Sequence, residues 1–190
     1  IGSYGCVALA YDEQSGRQVA IKKVSHFFDQ EVLTRRTLRE VASLSHLVDC
    51  PNIIQILDFD VSFIELNEVY FILQACDADL SQIIRSEQEL TESHIRFFMV
   101  QLLRGVHSMH SSHIIHRDLK PANILWTRDR TMAKISDFGS AYVRMTPSSV
   151  DELSSATDPV LARTAGSPAF FAPELCYGAS DGPPITKAID

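Results

Sequence analysis

The chain has 190 residues, enough to bury one good core or two small ones. Its 24 acidic residues outnumber 17 basic ones, and the net charge of -7 argues against the basic footprint of a nucleic-acid binder, so any phosphate must be held by local chemistry. Hydrophobic residues at 45% and charged residues at 22% fit a soluble globular protein, and no apolar run is long enough to span a membrane or opens the chain as a secretion signal, so a cytoplasmic location is expected, with the nucleus as the alternative.

The first motif is Ile1-Gly2-Ser3-Tyr4-Gly5-Cys6-Val7, with Gly2 and Gly5 at the spacing of the last two glycines of G-x-G-x-x-G. Such glycines let a turn bring backbone N–H groups against phosphate oxygens, and Val7 would cap the face of a base. A bare hairpin turn has the same local pattern. A strand over Val7 to Tyr11, a turn at Asp12-Glu13-Gln14-Ser15-Gly16 and a second strand over Gln18 to Val24 follow. Alternation puts Ala20 and Lys22 on one side, with Lys22 under the glycine turn.

Residues 29 to 47 turn to helical periodicity, with Leu38, Val41 and Leu44 on one stripe and Glu40 beside it, placed to reach back to Lys22. Arg39 is expected to splay to the other side. Two further strands are predicted at Ile53 to Phe59 and Val69 to Leu73. The polar, small-residue stretch Gln74-Ala75-Cys76-Asp77-Ala78-Asp79 then reads as a hinge where the secondary-structure class changes. Thr91 caps a long helix with apolar positions Ile95, Phe98, Leu102, Val106 and Met109. His107, His110, His113 and His116 recur every third residue, but without a carboxylate or thiolate among them they read as helix-surface and loop-packing residues and not as a metal site.

The stretch His116-Arg117-Asp118-Leu119-Lys120-Pro121-Ala122-Asn123 concentrates a carboxylate, an ammonium and an amide in one loop. Asp118 can seat an acceptor hydroxyl, Lys120 can neutralise developing phosphate charge, and the Asn123 oxygen can meet a metal. Two short strands, 124–126 and 133–135, lead to Asp137-Phe138-Gly139, where an aspartate can swing onto Mg²⁺. Residues 140 to 163 are polar, without hydrophobic period, and read as a mobile loop carrying hydroxyls at Ser148, Ser149, Ser154, Ser155 and Thr157, with Thr164 just beyond. Gly166-Ser167-Pro168 and Phe170-Phe171-Ala172-Pro173-Glu174 restore apolar order. The four cysteines, Cys6, Cys50, Cys76 and Cys176, lack Cys-x-x-Cys spacing and indicate reduced thiols.

Taken jointly and in this order, these motifs resemble the eukaryotic protein kinases along the whole chain. The resemblance implies an α+β bilobal fold, with a small, mostly antiparallel β lobe at 1–73, a hinge at 74–79 and a mainly helical lobe at 80–190. It further implies ATP and Mg²⁺ as cofactors. Lys22 would bind the α- and β-phosphates and Glu40 would orient it. Asp118 resembles the catalytic base, Lys120 the residue that stabilises the γ-phosphate, and Asn123 with Asp137 the Mg²⁺ ligands. Leu73 matches the position behind the adenine, the main chain at Gln74 and Cys76 would bond the base, and Asp79 would meet the ribose. Gly2, Gly5, Val7, Ala20 and Leu125 complete the implied nucleotide site.

Lys120 together with Ser167 resembles the serine/threonine-specific members, implying protein substrates, among them other kinases in a cascade. Arg117 and Arg39 would clamp a phosphothreonine placed by an upstream kinase, with Thr164 the first candidate. From Lys22 to about Asn123 the chain looks like mitogen-activated protein kinases, through Leu38-Arg39-Glu40, Asp79-Leu80 and Glu89-Leu90-Thr91. The activation segment from Arg163 to Cys176 is instead similar to fungal calmodulin-dependent kinase kinases and other kinases that activate AMP-activated-type kinases, as a divergent natural kinase or a joined reading frame would be. The glycine motif lacks its first glycine and is expected to be clipped at its start, and in the family the larger lobe normally continues past the position of Asp190. A catalytically inactive interaction module is therefore the alternative expectation to a phosphotransferase.

Overall fold

The computed structural model describes residues 5–127, 129, 131–143, 166–173 and 187–190. Strands β1 (Cys6–Asp12) and β2 (Arg17–Ser25) pair antiparallel around a turn in which Gly16 takes φ +66°. Asp12 ties that turn by accepting the Gln14 N–H at 3.0 Å and the Ser15 hydroxyl at 2.5 Å. Helix α1 (Glu31–His46) follows, and β3 (Ile56–Asp60) and β4 (Glu68–Gln74) complete a four-stranded sheet in the order β1-β2-β4-β3. Val24, Phe27, Leu33, Val69 and Phe71 form the core between this sheet and α1, with Val41 packed against it.

The register of α1 differs from the expected stripe. Leu38 is exposed, and the buried face is Leu33, Thr37, Glu40, Ser43 and Leu44. Positions 33, 37, 40 and 44 share one side of a 3.6-residue helix, whereas residue 38 is turned about 100° from residue 37. Glu40 therefore lies on the buried stripe itself. The strand expected from Ile53 begins only at Ile56, because Ile53 bridges to Ile135 and the Ile54 N–H donates to the Ile135 carbonyl at 2.9 Å. Both isoleucines are drawn into a second core with Leu44, Leu47, Met109, Ile114, Ile124, Ile135 and Phe138.

The stretch expected as a bare connector is partly a strand. Strand β5 (Cys76–Asp79) pairs with β7 (Ile124–Thr127), which pairs with β8 (Ala133–Ile135). Nothing in Cys-Asp-Ala-Asp favours a strand, so tertiary pairing decides. Helix α2 (Leu80–Arg85) starts on the Asp79 carboxylate, which accepts the Gln82 N–H at 2.8 Å. Helix α3 (Glu92–Ser111) starts on a reciprocal cap between Thr91 and His94. It buries Gln101, Gly105 and Met109 and packs Phe98, Leu102 and Val106 against the second core, but leaves Ile95 exposed. Two-residue strands β6 (Ile114–Ile115) and β9 (Tyr142–Val143) pair with each other, so the stretch expected to be a loop from residue 140 begins as structure. Its serines and threonines from Ser148 to Thr164, like Gly2, Cys176 and Glu174, lie outside the described residues.

A polar network ties the loop after α1 to the second lobe. The Asn52 amide donates to Gln101 Oε1 at 3.1 Å and to the Ala133 carbonyl at 3.0 Å, and Gln101 Oε1 also accepts the Ala133 N–H at 2.8 Å. Lys134 Nζ, buried, donates to the Pro51 carbonyl at 2.7 Å. Gly105 lets α3 approach this loop closely: a Cβ there would stand 2.8 Å from Ile135 Cδ1 and 3.0 Å from the Asn52 carbonyl.

Candidate active site

The face of the first sheet that carries Lys22 is fixed by register. Val7 pairs with Lys22 and Lys22 with Phe71, while Ala20 pairs with Leu73, and directly paired residues share a face. Val7, Ala20, Lys22 and Leu73 therefore line one surface. A side chain on Gly5 would collide with the Lys23 carbonyl, so the close approach at the head of β1 requires glycine. Lys22 Nζ lies over the Phe71 ring, 5.2 Å from its centroid, and donates to both oxygens of Glu40 at 2.7 Å. Burial, with the charge of Asp137 adding to it, pushes the Glu40 carboxyl above the ordinary range, and Lys22 opposes that shift.

The loop at 116–123 is held from three sides. Asp190 accepts the backbone N–H groups of His116 and Arg117, each at 2.7 Å, and pairs with His110 at 3.0 Å. His116 is wholly buried, donates from Nε2 to the Ser136 carbonyl at 2.9 Å, accepts the Asp118 N–H on Nδ1 at 3.2 Å, and packs edge-on against Phe138. Burial holds its pKa below the usual histidine value. Pro121 opens a 3₁₀ turn ending at Asn123, where its fixed φ fits and its missing N–H costs nothing. That turn aims the Asn123 amide at Asp118: Nδ2 donates to the Asp118 carbonyl at 2.9 Å and to Oδ2 at 3.3 Å, leaving the amide oxygen for a cation.

Lys120 Nζ bridges Asp118 Oδ2 at 2.8 Å and the Ser167 hydroxyl at 2.5 Å, so the segment at 166–173 is attached to the carboxylate. Asp118 Oδ1 is buried without a hydrogen-bond partner among the described residues. Such a buried acceptor suits a donor brought by a substrate. Asp137 follows β8 in the left-handed region at φ 63°, and the turn Phe138–Ser140 packs beneath α1. Asn123 and Asp137 offer the oxygen ligands that Mg²⁺ takes in small number beside phosphates and water.

Other predicted residues have structural duties as well. The Gln74 N–H donates to the Gln55 carbonyl at 3.0 Å, Cys76 sits opposite Thr127 and Asp79 opposite Leu125. One Asp79 oxygen caps α2, which leaves the other for a ligand. Burial pushes the Cys76 thiol up to about 11. Sequence reasoning missed Lys134, Gln101 and Tyr142. A lysine between Ala133 and Ile135 in a strand flanked by core residues was the available signal for Lys134. Tyr142 gave none.

A model of the protein kinase domain matches residues 1–190. The chain is 40% identical over 191 residues to mitogen-activated protein kinase 4 of Arabidopsis thaliana, covering 100% of this chain and 46% of that protein. It is equally 40% identical over 191 residues to the mitogen-activated protein kinase homolog NTF6 of Nicotiana tabacum, covering 100% of this chain and 47% of that protein. It therefore spans about half the length of the curated relatives it matches. A lysine paired with a helix glutamate, an aspartate bridged by lysine to the following segment, and a match along every residue lead to one conclusion: the chain belongs to the protein kinase domain family.

Proposed function

We propose that this chain is the catalytic part of an ATP-dependent protein kinase that phosphorylates serine and threonine hydroxyls within a signalling cascade. ATP would supply the transferred γ-phosphoryl group, and Mg²⁺ would offset the triphosphate charge. Lys22, held extended by Glu40, binds the α- and β-phosphates, while Asn123 and Asp137 hold the metal. Asp118 accepts the proton of the acceptor hydroxyl, and Lys120 stabilises charge on the moving group. The carrying observation is the bridge from Asp118 through Lys120 to Ser167, which puts a strip without charged residues, 166–173, beside the base where a polypeptide acceptor would lie.

Regulation follows from the same loop. We assign Thr164 as the site of an upstream kinase, its phosphate received by Arg117 and Arg39. A side chain on Gly166 would collide with the Arg117 carbonyl, so the described residue two positions after Thr164 in the sequence lies against that arginine.

The test is transfer of labelled γ-phosphate by the intact protein to a generic protein acceptor. Expected are Mg²⁺-dependent phosphoserine and phosphothreonine, and loss of transfer in Asp118→Asn. Equal transfer by Asp118→Asn, or phosphotyrosine as the main product, would overturn the reading.

A further inference from the structure

A cleft of about 570 Å³ opens between α3, the loop at 51–52 and the turn at 131–132, a volume in the range of small-molecule sites. Its α3 wall is Arg96, Phe97, Val100, Gln101 and Arg104, whose three- and four-residue spacing puts them on one side of the helix. Lys22, Glu40, Asp118, Asn123 and Asp137 do not line it, so phosphoryl transfer does not account for it.

Gln101 is 6% exposed, and its neighbours fix how its amide is turned. Oε1 accepts the Asn52 amide at 3.1 Å and the Ala133 N–H at 2.8 Å. Turning the amide over would set its own N–H groups against those two donors, so the nitrogen keeps the other side. There Nε2 is buried without a hydrogen-bond partner among the described residues. A buried donor in the wall of a cleft calls for an acceptor from a ligand.

Charge points the same way. The described lining holds two arginines and no carboxylate, in a chain whose net charge is -7. Arg96 pairs with Glu92 at 2.8 Å, but both side chains are solvated and such a pair is readily given up. Arg104, one turn beyond Gln101 on the same face, has no ion pair or hydrogen bond from its guanidinium among the described residues. The remaining wall is apolar. Phe97 is 43% and Val100 48% exposed, Met132 joins them from the turn, and Trp126 holds the Phe97 ring edge-on at 5.7 Å. A carboxylate has two oxygens, enough for one guanidinium fork and one amide donor. A phosphate dianion brings more acceptors than Gln101 and Arg104 can meet.

We propose that this cleft binds a small organic acid, with its apolar body on Phe97, Val100 and Met132 and its carboxylate between Gln101 Nε2 and the Arg104 guanidinium.

The test compound is octanoate, with octylamine as the cation of the same body and inorganic phosphate as an anion without one. Calorimetric titration of the intact protein, with and without MgADP, reads affinity, and a melt reads Tm. Octanoate is expected to bind at one site and raise Tm whether or not MgADP is present, with octylamine and phosphate about tenfold weaker. Arg104→Glu, a change at an exposed position, is expected to weaken octanoate about tenfold without weakening octylamine, while Arg104→Lys, which keeps the charge and loses the fork, weakens octanoate about threefold. Gln101→Glu keeps an oxygen for Asn52 and Ala133 but replaces the free donor with an acceptor, and is expected to abolish octanoate binding. The proposal is overturned if octanoate does not saturate, if MgADP displaces it, if octylamine or phosphate binds as tightly, or if Arg104→Glu or folded Gln101→Glu matches the parent. Should Gln101→Glu not fold, the two Arg104 variants decide.

Discussion

Lys22 donates to both oxygens of a glutamate that is only 5% exposed, so its ammonium has one orientation and a charged partner in a poorly solvated place. Hydrogen bonds of this charge-assisted kind contribute about twice a neutral one. Glu40→Gln keeps the shape and removes the charge, and is expected to lower kcat/KM for ATP at least tenfold while Tm shifts little, because the burial cost of the carboxylate goes as well; steady-state kinetics and a melt check both. His116 sets a pH dependence. Its folded pKa lies below the unfolded value of about 6.5, because burial disfavours the cation and outweighs the Ser136 carbonyl and the nearby Asp190, Asp137 and Asp118 carboxylates, which favour it. The unfolded chain then takes up a proton before the folded one does, so stability is full above about pH 6.5 and falls as the pH drops below it. Melts from pH 7.5 to 5 are expected to show a decline that His116→Asn flattens. Cys76 is legible in sequence only as a hinge residue, yet with its thiol pushed up to about 11 it should resist alkylation at pH 7.5, whereas exposed Cys6 is modified; peptide mass analysis after brief iodoacetamide treatment distinguishes them.

Helix α3 owes its closeness to the loop at 50–54 to one glycine. Alanine at 105 would gain about 1 kcal/mol of helix propensity but drive a methyl into Ile135 and the Asn52 carbonyl. Overpacking of that kind costs about 1–3 kcal/mol, so Gly105→Ala is expected to destabilise, read as a lower denaturant midpoint. Lys134→Met would leave the Pro51 carbonyl without its donor, and a further loss of about 1–3 kcal/mol is expected in the same measurement. At this scale the sequence was legible where a pattern runs for several turns or a full strand, as in α3, β2 and β4. It was illegible in β5, β6 and β9, whose two to four residues carry no period and exist only through their partners. The register of α1 was misread because its buried face includes Thr37, Glu40 and Ser43, and a hydrophobic count follows apolar residues alone.

The two cores meet along α1, β3 and β4: Leu33 belongs to the first and Leu44 to the second, while Ile56 and Leu73 pack against both. That shared wall, with the Asn52, Gln101 and Lys134 bonds behind it, fixes the lysine face of the first sheet to the loop that carries Asp118. Motif chemistry marked Lys22, Glu40, Asp118, Asn123 and Asp137 in advance because each residue type is demanded by the reaction. The framework behind them was hidden, since Asn52 and Gln101 bond each other and the Ala133 backbone, contacts that no side-chain pattern reveals. The most direct measurement is ATP affinity of the intact protein with and without Mg²⁺, for the parent, Lys22→Met and Asp137→Ala. One triphosphate site predicts weaker ATP binding in Lys22→Met and loss of the Mg²⁺-dependent gain in Asp137→Ala; binding equal to the parent in both variants would contradict it.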